Sequence, residues 1–248
     1  TVHEVRELVV AGPAPELSEG VHSMRAMLER TPPLPICADT GPDDPGFWLY
    51  SSGSTGKPKG TLHTHANPYW TAELYGRGVL GLGEQDICFS AAKLFFAYGL
   101  GNALSFPLSV GATTILMAER PTPAAVIQRW RGRIGNRTIP KPTVFFGAPT
   151  GYAGLLASSE LPDRSEIALR MASSAGEALP AELGSRFTAL FGIDVVDGIG
   201  STEMLHIFLS NRPGAVRYGT TGWPVPGYTI ALRQEDGTPV ADQSDGTS

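Results

Sequence analysis

The sequence predicts an α/β fold built on a largely parallel sheet. Two observations carry this: strand-like runs alternate with helical patterns along most of the 248 residues, and the 30 Gly and 21 Pro residues gather between those runs. Alternation of this kind needs crossover connections, which pack helices against a parallel sheet.

Taken in order, strands are predicted at Val5–Val10, Phe47–Tyr50, Ile87–Ala91, Ala112–Met117, Thr143–Phe146, Leu169–Ser173 and Asp194–Val196. Helical periodicity marks His22–Glu29, Pro68–Val79 and Ala124–Trp130, the last two behind Asn or Pro start signals. Pro180–Leu190 is a fourth helix, with Pro180 suited to a first turn. From about Arg212 the pattern changes to short strands and turns, ending in a hairpin-like Asp236-Gly237. Residues 1–211 are therefore read as an α/β core, and 212–248 as the start of a β subdomain.

Composition limits the function. Apolar residues make up 42% and charged residues 17%, which fits a folded globular chain. A net charge of -5 argues against nucleic acid as a partner, since phosphate contacts demand a basic surface. Cys37 and Cys88 stand far apart, outside any metal-ligand spacing, and no apolar run approaches membrane length. The chain reads as cytoplasmic, without membrane association. It opens on Thr1 and a strand-like run, which reads as an entry in mid-domain.

The chemistry concentrates in YSSGSTGKPKG, Tyr50 to Gly60. Glycines free backbone N–H groups to face an anion, while hydroxyls and lysines add charge-assisted bonds, so the composition points to phosphate. It is not a Walker A loop, because Ser51 holds the first glycine position and Pro58 follows Lys57. No GxGxxG follows a predicted strand, and no GxSxG elbow is present.

The same stretch resembles the phosphate-loop signature [YF]xSG[ST]TGxPKG of the adenylate-forming, acyl-CoA synthetase superfamily. SSAGEALP, Ser173 to Pro180, and DGIGSTE, Asp197 to Glu203, are similar to that family's adenine-side and YGxTE segments. KLFFAYGLGNALSFPL and GSTEMLHIFLSN look like benzoate-CoA ligases and their hydroxybenzoate relatives.

The resemblance implies the large N-terminal domain of such an enzyme, with ATP, Mg²⁺ and CoA as reactants and an aromatic acid as substrate. An acyl-adenylate and pyrophosphate would form first, and the CoA thiol would then displace AMP. On the matching positions, Ser51, Ser52, Gly53, Ser54, Thr55, Gly56 and Lys59 would hold the β- and γ-phosphates, Lys59 being favoured over Lys57. Gly176, Glu177 and Ala178, with Asp197, Gly198, Ile199, Gly200 and Ser201, would wrap the nucleotide; Ile199 stands where many relatives carry Tyr. Thr202 would reach the α-phosphate and Glu203 the Mg²⁺, although Glu203 also suits the start of a helix.

Ala97, Tyr98, Ala175, Gly200, His206 and Ile207 match the acid pocket, and Phe96 the aromatic that opens the thiol channel. Phe95 is assigned to the core, and His63 and His65 to a strand end or helix entry rather than a metal. Arg129, Arg131, Arg133, Arg137 and Lys141 fit either the CoA 3′-phosphate or a solvated helix face.

The family's hinge, ribose-binding residues and C-terminal domain with its lysine have no counterpart in the chain, which is therefore read as an internal fragment with little exchange activity alone. A homodimer is left open. The alternatives are an adenylation domain that loads a carrier protein, an oxidative light-emitting relative, or a non-catalytic nucleotide-binding module.

Overall fold

A computed structural model describes residues 6–13, 19–51 and 56–240. Backbone contacts divide the chain into two units, Thr1–Gly41 and Pro42–Ser248.

In the first unit, β1 (Leu8–Val10) pairs in parallel with β2 (Val21–Ser23), which runs directly into α1 (Met24–Arg30). The helix starts later than the periodicity predicts because Ser23 caps it, accepting a hydrogen bond from the Ala26 amide at 3.4 Å.

The second unit opens with an antiparallel hairpin, β3 (Pro45–Ser51) and β4 (Lys59–Thr64), in which Ser51 lies opposite Lys59. The Phe47–Tyr50 strand is thus present but lies outside the parallel sheet, paired with β4, which was not among the expected strands. α2 (Ala66–Thr71) continues into a π-helical stretch, Ala72–Arg77, so the predicted Pro68–Val79 helix is present with one widened turn.

Then follow β5 (Ile87–Ser90), α3 (Ala97–Leu100), a second π-helical stretch at Gly101–Ser105, α4 (Phe106–Val110) and β6 (Thr113–Ile115). α5 (Pro123–Trp130) is capped by the Thr122 hydroxyl, which accepts from the Ala125 amide at 3.3 Å. A short hairpin comes next, β7 (Arg133–Ile134) with β8 (Arg137–Thr138), then β9 (Val144–Gly147) and α6 (Pro149–Leu156). The chain continues through β10 (Met171–Ser174), α7 (Ala181–Phe191), β11 (Val195–Gly200), β12 (Ile207–Ser210) and β13 (Trp223–Pro224). Gly192, at φ 62°, ends α7 in the left-handed conformation that glycine adopts without strain.

Seven strands form one sheet in the order β13-β12-β11-β10-β9-β5-β6, parallel from β11 to β6 and antiparallel at β12 and β13. Side chains alternate along each strand and so divide between two cores. Phe89, Phe145, Ala172 and Val195 enter one; Cys88, Val144, Phe146, Met171 and Val196 enter the other. Helices on both faces explain why β9 and β10 are buried at every residue.

The basic group does not form one solvated face. Arg129 is buried, its guanidinium lies 5.9 Å from the Phe89 ring centroid, and Nη2 donates to Glu119 at 2.6 Å. Arg131 pairs with Glu166 at 2.8 Å, while Arg133 and Arg137 belong to the β7–β8 hairpin. Phe95, assigned to the core, is exposed and packs against Phe96, the rings tilted by 50° with centroids 4.5 Å apart.

Candidate functional site

β5, β9, β10 and β11 run in parallel, so the residues that follow them collect along one edge of the sheet. Chain order changes direction between β5 and β9, since β6 lies on one side of β5 and β9 on the other. Ligands of open α/β sheets gather at the carboxyl ends of strands beside such a switch. Among the cavities along this edge, two are lined mainly by residues expected at the site.

The first, about 250 Å³, is lined by Gly176, Glu177, Ala178, Asp197, Gly198, Ile199, Gly200 and Thr221. Seven of the eight residues expected to wrap the nucleotide thus share one cavity, with Thr221 added from the segment before β13, while Ser201 lines the second. Burial pushes the Asp197 carboxyl up to about 6, against the opposing Ser174 hydroxyl and the Leu179 and Gly198 amides. Its Oδ1 is buried without a hydrogen-bond partner.

The second cavity, about 320 Å³, is lined by Ala97, Tyr98, Ala175, Gly200, His206 and Ile207, together with Ala92, Phe96, Ala148, Gly176, Ser201 and Thr202. All six residues expected in the acid pocket are there. Gly176 and Gly200 belong to both cavities, so the two adjoin.

His206 is buried among the rings of Tyr75, Tyr98 and Phe106, with centroids 5.4, 5.5 and 4.5 Å away. Burial lowers its pKa to about 3, so the imidazole is neutral at physiological pH. The Tyr98 carbonyl is 3.4 Å from Nε2 and can only accept, which places the proton on Nε2 and leaves Nδ1 as a bare, unpartnered acceptor. Gly101 makes room for this ring, because a Cβ there would sit 2.4 Å from His206 Cδ2. Tyr98 is held by its hydroxyl, 3.1 Å from Ser173 Oγ.

Residues 201–205 form a turn rather than the helix start that Glu203 suggested. The Ser201 hydroxyl accepts from the Met204 amide at 3.2 Å, the Thr202 carbonyl accepts from the Leu205 amide at 3.1 Å, and Leu205 takes φ 63°. Glu203 is exposed, and its carboxyl is held below the usual range by its own backbone N–H, the Ser201 hydroxyl and the positive charge of Lys59. The β3–β4 hairpin and the Thr202–Glu203 turn meet where β4 contacts the Thr202 carbonyl. Within the loop, Ser51 and Lys59 close the hairpin and Gly56 is exposed at φ 78°, whereas Ser52, Gly53, Ser54 and Thr55 lie outside the described residues.

One residue was given too small a part by the sequence. His63 is buried in β4, and its Nε2–H donates to the Thr202 carbonyl at 2.9 Å. The available signal was strand alternation, which puts His63 on the same face of β4 as Lys59. His65 takes the N-cap position of α2 without a side-chain cap bond.

The AMP-binding enzyme family model matches residues 3–247. The chain belongs to the AMP-binding enzyme family. Among curated members it is 56% identical over 239 residues to a benzoate-CoA ligase of Thauera aromatica, covering 96% of this chain and 43% of that protein. With a 4-hydroxybenzoate-CoA/benzoate-CoA ligase of Rhodopseudomonas palustris it shares 45% identity, covering 98% of this chain and 43% of that protein.

Among solved structures, a benzoate CoA ligase from Burkholderia xenovorans LB400 superposes with a TM-score of 0.84 at 53% identity, over 96% of this chain and 49% of that one. An anthranilate CoA ligase in complex with anthranoyl-AMP gives 0.83 at 39% identity, over 95% of this chain and 44% of that one. The acyl-CoA synthetase-like α/β architecture follows from these likenesses. Among the described residues, no helix is long and apolar enough to cross a membrane.

Proposed function

We propose that this chain carries the nucleotide and acid sites of an aromatic acid-CoA ligase that forms acyl-AMP from ATP and a benzoate-like acid, then transfers the acyl group to CoA. The observation that supports it most is the pair of adjoining cavities, one lined by Asp197, whose Oδ1 has no partner, and the other a slot of small and aromatic side chains. An adenine amino group would donate to Asp197 Oδ1. A flat ring would enter between Tyr98, Ala175 and Ile207, with its carboxylate directed to the Gly200–Thr202 rim shared with the nucleotide.

Attack of the carboxylate oxygen on the α-phosphorus forms the acyl-phosphate bond and releases pyrophosphate. The Thr202 hydroxyl would hold an α-phosphate oxygen, and Lys59 with Ser51–Gly56 the leaving pyrophosphate. Mg²⁺ takes one or two carboxylates alongside phosphates and water, and Glu203, exposed and ionised, fits that donor set; the ion would neutralise charge on the phosphates. Phe96, exposed at the mouth of the slot, would screen the adenylate until the thiol arrives. We further propose that residues 1–211 and 212–248 are the α/β core and β subdomain of this unit, and that it acts in the cytoplasm.

A non-hydrolysable benzoyl-AMP analogue tests the reading. Because it spans both cavities, it should bind the chain at least a hundredfold more tightly than AMP or benzoate alone, as linked fragments do. Binding no tighter than AMP would mean that the two cavities do not serve one reaction.

A further inference from the structure

The geometry points to His63 as the positioning residue that ties the phosphate-gripping strand to the Thr202–Glu203 turn, an inference that rests on the function proposed above. His63 contributes no atom to either cavity. It acts on residues that do, through a hydrogen bond between positions 139 apart in the chain.

The polarity of that bond is fixed from both ends. A carbonyl can only accept, so the His63 proton is on Nε2, facing Thr202 at 2.9 Å. Nδ1 is then bare and accepts from Asn67 Nδ2 at 3.1 Å, while Asn67 Oδ1 accepts the Thr64 hydroxyl at 3.2 Å. Each donor in the series Thr64, Asn67, His63 leaves only one role for the next, and the Phe47 ring packs on the imidazole with centroids 5.3 Å apart.

The receiving end is strained. Leu205 holds φ 63°, a region that leucine avoids, and its amide shares the Thr202 carbonyl with His63. Such a conformation persists only where surrounding contacts fix it. Alternation along β4 puts Lys59, Thr61 and His63 on one face, so the strand that presents the lysine also anchors the turn that presents the Thr202 hydroxyl and the Glu203 carboxylate.

The test compares ligands that do and do not reach the turn. His63→Leu keeps bulk but removes the donor, and His63→Gln returns an amide N–H near the Nε2 position. With Mg²⁺ present, calorimetric titration of the 248-residue chain with ATP should show the Leu variant about tenfold weaker and the Gln variant within about threefold of the parent. Adenosine, which reaches only the first cavity, should bind all three within about twofold by saturation-transfer NMR.

Unchanged ATP affinity in the Leu variant overturns the inference. So does parallel loss of ATP and adenosine, which marks a general structural role, or failure of Gln to restore ATP binding. Should the Leu variant not fold, Asn67→Ala carries the test: it frees the other edge of the ring and should weaken ATP about threefold, with adenosine unmoved. No ATP binding by the parent chain would reject the functional reading itself, and that result needs no variant.

Discussion

At the N-terminal edge of the parallel strands, just before β5, the Asp86 carboxylate accepts from Arg170 Nε and Nη2 at 2.7 and 2.6 Å, Thr143 Oγ1 at 2.8 Å and the Gly83 amide at 3.0 Å. At the C-terminal edge, on β11, Asp197 is equally buried, yet its Oδ1 has no partner. Burial raises both carboxyls, but the Arg170 guanidinium, the Gly83 amide and the Thr143 hydroxyl bring Asp86 below its ordinary value, while Asp197 stays near 6. One edge uses its buried charge to hold three strands in register. The other keeps an acceptor open, and its neighbour His206 does the same with Nδ1. Leaving a buried acceptor unsatisfied carries a cost, and on the proposed function a ligand donor would relieve it at both positions.

The largest effect is expected where the network is complete. Asp86→Ala strips the Arg170, Thr143 and Gly83 donors of their acceptor and should cost about 3 kcal/mol in urea unfolding; the 42% exposure of the Arg170 side chain keeps this toward the lower end for a broken buried pair. Adenosine affinity of the folded fraction should stay the same. A loss of binding out of proportion to the loss of fold would erase the division between the two edges.

Asp197→Asn should act in the opposite direction. The folded carboxyl keeps its proton up to about pH 6, whereas the unfolded one releases it near the ordinary 3.8. Between these values the folded state binds more protons, so stability falls as pH rises, and the full penalty is present above the folded value. Removing the charge should therefore raise stability by about 3 kcal/mol at pH 7.5. At pH 3.5 the gain should vanish, because both states are then largely protonated. Unfolding curves at the two pH values check this, and a pH-independent gain would show that the carboxylate carries no burial penalty.

The legibility of the two edges also differs. The segments Ser173–Pro180 and Asp197–Glu203 could be picked out because they resemble contiguous motifs of a known family, and residues of both line the cavities at this edge. The parallel strands were legible from their apolar runs to within a few residues. β4 was not, since Lys59-Gly60 continues the polar composition of the loop and its pairing with β3 is set by register. Arg129 was misplaced because burial of its guanidinium depends on Glu119 and Phe89, which only the folded chain brings near. His63 was undervalued for the same reason: its partner is a backbone carbonyl, and a carbonyl leaves no mark on residue identity.

The smallest effect expected is also the most discriminating for the open edge. With Nε2 committed to the Tyr98 carbonyl, His206 Nδ1 can accept but not donate, so an acid bearing a ring hydroxyl or amino group has a bond to gain that benzoate lacks. His206→Ala removes that acceptor and part of the slot wall together. Relative affinity across benzoate, the hydroxybenzoates and aminobenzoate should then shift by about 1 kcal/mol, roughly fivefold, the scale of one altered contact in a binding slot. ATP affinity should move less than twofold on the same scale, because the cavity proposed for the nucleotide does not include His206. Equal changes for acid and nucleotide would mean that the imidazole supports the sheet edge as a whole, and His206 would then belong with Asp86 rather than with Asp197.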